Sequence, residues 1–198
     1  MGRFASALAW IDIETTSLPA GNDWSGVHIL EVAMIVTDFN LDPLARYEST
    51  VQLTRPALEA LRANPVVVEM HRENQLIHDL KNAKTPLFEV ESEMIDVLKA
   101  HTAFDQGEFA IAGSGVIAFD HPLLKDKMPR FSNWLTYYGY DVGVMRRMAK
   151  LFSGGRDVVN PMPQSYKDGA KLHRAMADVE AHLTEAERYR DWFREKMD

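Results

Sequence analysis

Cysteine is absent from this 198-residue chain, which excludes disulfides, thiol nucleophiles and thiolate metal sites together. The absence fits a reducing compartment, so a cytoplasmic location is expected. Long apolar runs are missing as well, and nothing approaches the roughly 20 residues that a helix needs to cross a bilayer. Phe4 to Ile11 is a short apolar run, but Asp12 interrupts it and no small-residue cleavage site follows, so neither a signal peptide nor a membrane partner is expected. Excess positive charge is also lacking. With 22 Lys+Arg against 29 Asp+Glu, the net charge of −7 argues against a long electrostatic track for nucleic acid. It leaves open a short nucleic acid held at a metal-filled pocket, where the ions supply the positive charge. What the chain does have is apolar content, 46% hydrophobic. Together with its length, that predicts a single domain over residues 1–198 with a sizeable core.

No internal repeat or linker divides the chain. Strands are expected near Ala7–Ile13, His28–Thr37 and Arg46–Leu53, with a polar turn from Asp38 to Pro43 between the last two. Thr85 before Pro86 reads as a helix start, with the proline at the first helical position, and Leu87, Val90, Met94, Val97 and Leu98 continue at helical spacing. A short strand at Phe109–Ala112 precedes Asp120, which falls on a loop or helix start. Helices are expected at Phe131–Tyr138, Val142–Phe152 and about Ala175 to Phe193; the last has Met176, Val179, Leu183, Ala186, Tyr189 and Phe193 along one side. The class is therefore α/β, with an antiparallel portion in a mixed sheet.

The chemistry-bearing residues lie in three segments. In Ile11-Asp12-Ile13-Glu14, strand alternation sends both carboxylates to one face and both isoleucines to the other. Like charges side by side repel unless a cation holds them, and hard divalent cations take oxygen ligands. Asp120 follows in GSGVIAFDHPLL, and His173 precedes Asp178 by five residues in LHRAMADVEAHL. On one ideal helix those two would point about 140° apart, so His173 is expected on the turn ahead of the helix. Its ordinary pKa near 6.5 suits a general base.

This set resembles the DEDDh group of 3′→5′ exonucleases. Asp12 and Glu14 match the first motif, D-x-E-T-T-x-L, Asp120 the second, and His173 with Asp178 the third. The stretches WIDIETTSL, ILEVAMIVTDFNL and HRAMADVEAHLTEAERYRDWF are most similar to oligoribonuclease, and the likeness runs from about Ala7 to Phe193. The resemblance implies a ribonuclease H-like fold, a five-stranded mixed sheet flanked by helices, and an RNA-degrading hydrolase that cleaves short single-stranded RNA to nucleoside 5′-monophosphates. It implies two Mg²⁺ or Mn²⁺ ions. Asp12 would bridge them, Glu14 and Asp178 would serve the ion carrying the water, Asp120 would support the second, and His173 would be the base. It also implies substrate contacts by Thr15, Leu18, His71 and Tyr137, a family lysine at Lys167, and a homodimer with Phe131–Tyr140 in its interface.

Three positions depart from oligoribonuclease: Val66 for a base-stacking tryptophan, Val116 for a serine, and Tyr138 for a phosphate-binding arginine. They favour a looser limit on substrate length. The alternative is an RNase T-like or proofreading exonuclease on longer single-stranded RNA or DNA. A competing fingerprint, Gly113-Ser114-Gly115-Val116-Ile117-Ala118, fits G-x-G-x-x-A and would imply a dinucleotide-binding oxidoreductase. It leaves the four acids and His173 unexplained.

Overall fold

A computed structural model describes residues 6–101, 108–159 and 173–197. Five strands, β1 (Ala7–Thr15), β2 (Ile29–Thr37), β3 (Pro43–Thr50), β4 (Phe109–Gly113) and β5 (Leu135–Asp141), form one sheet in the order β3-β2-β1-β4-β5. The pairs β1/β2 and β2/β3 are antiparallel, while β1/β4 and β4/β5 are parallel. This is the expected mixed sheet, with β1 at its centre.

Alternation along β1 sorts the core into two layers. Ala7, Ala9, Ile11 and Ile13 pack with Val90, Met94 and Leu98 of α4 (Leu87–Lys99). Helices α5 (Asp120–Lys127) and α6 (Pro129–Ser132) close the same side through Leu123, Leu124 and Phe131. On the other face, Leu8 and Trp10 meet Val142 of α7 (Val142–Phe152) and Ala175, Val179 and Leu183 of α8 (Ala175–Met197). The buried Trp10 indole donates to Thr37 Oγ1 at 3.0 Å, which satisfies its polar atom.

Helices α1 (Arg55–Arg62), α2 (Pro65–Glu73) and α3 (Leu76–Leu80) are additions to the expected elements. Two of them begin with a side-chain cap and a proline: Thr54 Oγ1 accepts from Ala57 N–H and Asn64 Oδ1 from Val67 N–H. They seat on β2 through Leu30, Leu61, Leu76 and Leu80.

Three expectations are corrected. Strand β3 spans Pro43–Thr50 rather than Arg46–Leu53, because Asp38 Oδ1 accepts from the N–H groups of Asn40 (2.8 Å) and Asp42 (3.0 Å) and ends the turn at Pro43. As an edge strand, β3 tolerates that proline. Helix α4 starts at Leu87 with Pro86 as its cap residue. The Thr85 carbonyl is taken by Gln52 N–H at 2.8 Å, and Pro86 stays extended. Of Phe131–Tyr138, only Phe131 and Ser132 are helical, at the end of α6, and Leu135–Tyr138 belongs to strand β5. Aromatic and β-branched residues suit a strand, and Gly139 lets β5 close on β4, since a Cβ there would lie 2.6 Å from Ile111 O.

Candidate active site

The parity that sends Leu8 and Trp10 toward α8 also sends Asp12 and Glu14 there, where Asp178 stands in the first turn of that helix. One carboxylate oxygen from each of Asp12, Glu14 and Asp178 lies within 4.8 Å of the others. Oxygens that share one hard cation, each at about 2.0–2.6 Å, have this spacing. The donor set is anionic and all oxygen, so it fits a divalent ion. Asp120, the first residue of α5, is buried and its charge acts on Asp12, but it is not one of the three carboxylates that converge within 4.8 Å.

These acids are held where their charges are costly. Burial pushes the Asp12 carboxyl well above the usual carboxylate range, and Asp120, Asp178, Glu14 and Glu31 push it further. Glu14 rises to about 8, through burial and then Asp178 and Glu31, with Arg174 opposing. Asp120 rises to about 7, chiefly from burial and secondarily from Asp141, while the backbone N–H groups of Asp120 and Ile13 favour its charge. A bound divalent cation would reverse that balance.

His173 lies exposed ahead of α8, as its spacing from Asp178 requires, in a left-handed conformation with φ 57°. For a residue with a Cβ, that backbone costs about 1 kcal/mol or more. Its neighbours hold it in place. Arg174 donates to both Glu31 oxygens, Nε at 3.1 Å and Nη2 at 2.6 Å, and pairs with Asp79 at 3.0 Å. Glu31 Oε2 also accepts from Ala175 N–H at 3.0 Å and so caps α8 from the neighbouring strand.

The expected substrate residues are differently placed. Leu18 and Tyr137 are 78% and 87% exposed, and the Tyr137 ring meets Tyr138 edge-on at 5.2 Å. The register shift between β4 and β5 falls between Phe109↔Leu135 and Ile111↔Gly139, which puts Tyr137 in the bulged segment. Thr15 is buried and its hydroxyl donates to the Ser17 carbonyl at 3.0 Å. His71 is fully enclosed behind Glu14: its Nε2 lies 3.3 Å from the Thr15 carbonyl and 3.8 Å from Glu14 Oε2. Val66 is exposed on α2, Val116 is sealed in the core and Tyr138 is half-buried against the α8 layer. Lys167 lies outside the described residues.

A family model described as an exonuclease, that of RNase T, matches residues 9–186. The chain belongs to this exonuclease family. A probable oligoribonuclease of Dictyostelium discoideum is 29% identical over 183 residues, 92% of this chain and 88% of the relative. The oligoribonuclease of Idiomarina loihiensis is 29% identical over 186 residues, 94% of this chain and 93% of its own. That of Nitrosomonas europaea is 28% identical over 197 residues, covering 96% and 97%. Among solved structures, zinc-bound Escherichia coli exonuclease I in complex with single-stranded DNA superposes with a TM-score of 0.62 at 16% identity, over 93% of this chain and 40% of that one. Exonuclease I of Methylocaldum szegediense gives 0.60 at 18%, over 94% and 41%. This chain thus spans about two fifths of those structures, and the likeness is one of fold.

The family decides against the oxidoreductase. Gly113 of its fingerprint has packing work instead: a Cβ there would come within 2.9 Å of Ile11 O, the carbonyl beside Asp12. Sequence reasoning passed over Glu31, Asn74 and Arg174. Glu31 had a signal, since a lone acid in ILEVAMIV must find a partner when its strand is buried. Asn74 had none.

Proposed function

We propose that this exonuclease hydrolyses short single-stranded RNA from its 3′ end and releases nucleoside 5′-monophosphates. Two Mg²⁺ or Mn²⁺ ions would be held by Asp12, Glu14, Asp120 and Asp178. The observation that carries the reading is the meeting of carboxylates from β1 and α8 within 4.8 Å, in a chain whose relatives, matched over most of both lengths, are named oligoribonucleases.

Bound ions supply positive charge at the phosphodiester and acidify the attacking water. Asp12, on which the charges of both Asp120 and Asp178 act, suits the shared ligand. The His173 imidazole accepts a proton from the water as its oxygen bonds to phosphorus and the bond to the 3′ oxygen breaks. The exposed Leu18 and Tyr137 offer apolar surface to the bases. His71, being enclosed, supports Glu14 and the Thr15 carbonyl instead of touching a base.

A homodimer in the cytoplasm completes the proposal. Of the expected interface, Phe131, Trp134 and Leu135 are core residues, whereas Tyr137 and Tyr140 are exposed. Val144, Met148, Leu151 and Phe152 add an exposed apolar stripe along α7. No helix among the described residues is long and apolar enough to cross a membrane.

A time course on 5′-labelled RNA and DNA of several lengths, with and without EDTA, tests the function. The expected result is stepwise loss of mononucleotides from the 3′ end of RNA, abolished by EDTA. Internal cleavage, or hydrolysis undiminished in EDTA, would overturn it.

A further inference from the structure

We propose that Asn74, at the end of α2, is a positioning residue that holds His173 in its working conformation. The inference rests on the assignment of His173 as the base and adds how that base is kept in place.

The hydrogen bonds around Asn74 leave one consistent arrangement. Its Oδ1 accepts from Leu76 N–H at 3.0 Å, which turns the chain from α2 into α3 and fixes which end of the amide is oxygen. The Nδ2 group then has two protons to place. One goes to the main-chain carbonyl of His173, and the other is directed at His71 Nδ1, 3.5 Å away. With Nδ1 as acceptor, the neutral His71 ring carries its proton on Nε2, the atom that faces the Thr15 carbonyl at 3.3 Å. Every polar atom of the buried Asn74 and His71 side chains therefore has a partner. The Asn74 carbonyl meanwhile accepts from Arg174 Nη1 at 3.4 Å.

Asn74 thus touches both residues of the junction that leads into α8, 99 and 100 positions away along the chain. The contact falls on the peptide carbonyl of a residue whose φ of 57° is unfavourable by itself. A donor at that carbonyl restrains the peptide plane and, with it, the direction in which the imidazole leaves the backbone. The side chain of Asn74 is buried away from solvent, so it acts through His173 and not on the substrate.

The test is a double-mutant cycle on a dinucleotide RNA with Mn²⁺, using Asn74→Ala, His173→Ala and the double variant, with thermal melts of each. Partners that orient a functional group from behind typically contribute about 10–100-fold. Asn74→Ala is expected to lower kcat by that amount with KM nearly unchanged, and the double variant should be no slower than His173→Ala alone. If Asn74→Ala does not fold, Asn74→Asp keeps the acceptor for Leu76 N–H, removes the donor, and is measured the same way. Losses that multiply in the double variant, or an unchanged kcat, would overturn the inference. A slow His173→Ala beside a normal Asn74 variant removes this inference alone, whereas a wild-type rate in His173→Ala removes the base assignment and this inference with it.

Discussion

Glu14 and Glu31 stand opposite each other in the β1–β2 register, and Arg174 closes its guanidinium on Glu31. Two like charges across a strand pair repel. Arg174 neutralises one of them and leaves the other turned toward Asp12 and Asp178. The arginine beside His173 thus keeps Glu31 occupied with helix α8 and Glu14 free for a cation. Arg174→Met should leave Glu31 buried without its charge partner, at a cost of about 3 kcal/mol. Urea unfolding in the absence of metal reads it, and a change below roughly 1 kcal/mol would show that the pair is screened like a surface one.

Metal-free stability should fall as pH rises. Glu14 moves from 4.5 to about 8 and Asp120 from 3.8 to about 7 on folding, so the folded chain binds these protons more tightly than the unfolded one. Stability from the neutral carboxyls is complete at acid pH and is lost as pH climbs through 7 and 8. Melting temperatures in EDTA should decline between roughly pH 5 and 8, and Mn²⁺ should remove the decline. A metal-free Tm that rises across that range would contradict the crowded-carboxylate reading.

Asp12→Ala should abolish turnover, because it removes the carboxylate placed among all the others. His173→Ala should lower kcat about 10²–10⁴-fold while KM changes little. Rates of single-turnover cleavage check both, and wild-type turnover in Asp12→Ala would remove the metal-site assignment.

The proposed dimer predicts that sedimentation gives twice the 22.5 kDa chain mass. Leu151→Glu, on a side chain that is 74% exposed, should shift the species toward monomer with an unchanged circular dichroism spectrum. A wild-type protein that stays monomeric at micromolar concentration counts against the dimer.

Substrate length is the fifth expectation. Val116 is sealed in the core and Tyr138 half-buried, so neither supplies the cationic grip that closes a pocket on a 5′ phosphate. Short RNA should be preferred, with a slope shallower than a strict dinucleotide pocket would give. Comparing kcat/KM for RNAs of two, five and roughly twenty nucleotides measures it. A thousandfold or greater preference for the dinucleotide would mean that other residues close the end.

Residues whose placement follows from local periodicity are legible in the sequence, and those placed by contacts between distant segments are not. The alternation in Ile11-Asp12-Ile13-Glu14 predicts the shared face, and the spacing of His173 from Asp178 places the histidine ahead of α8. Both follow from periods of 2 and 3.6 residues, which the backbone enforces locally. Leu135–Tyr138, the second half of the helix expected at Phe131–Tyr138, is strand instead, because its aromatic residues suit a core helix as well as a strand. What decides is Gly139 against Ile111, a contact between segments far apart in the chain. The same holds for Asn74, whose meeting with His173 depends on how α1–α3 fold back onto β2.

The central position of β1 sets how this site can fail. Leu8, Ala9 and Trp10 are laddered on both sides, to β2 and β4, and Asp12 lies two residues further on with Ala33 as its partner. No partial opening at the sheet edge, where β3 or β5 would detach, reaches that strand. Amides of β1 should therefore exchange with solvent only when the whole domain unfolds. Displacing Asp12 and Glu14 and losing the fold become a single event, whereas Asp120 and Asp178 stay in the site only as long as α5 and α8 remain docked on the sheet.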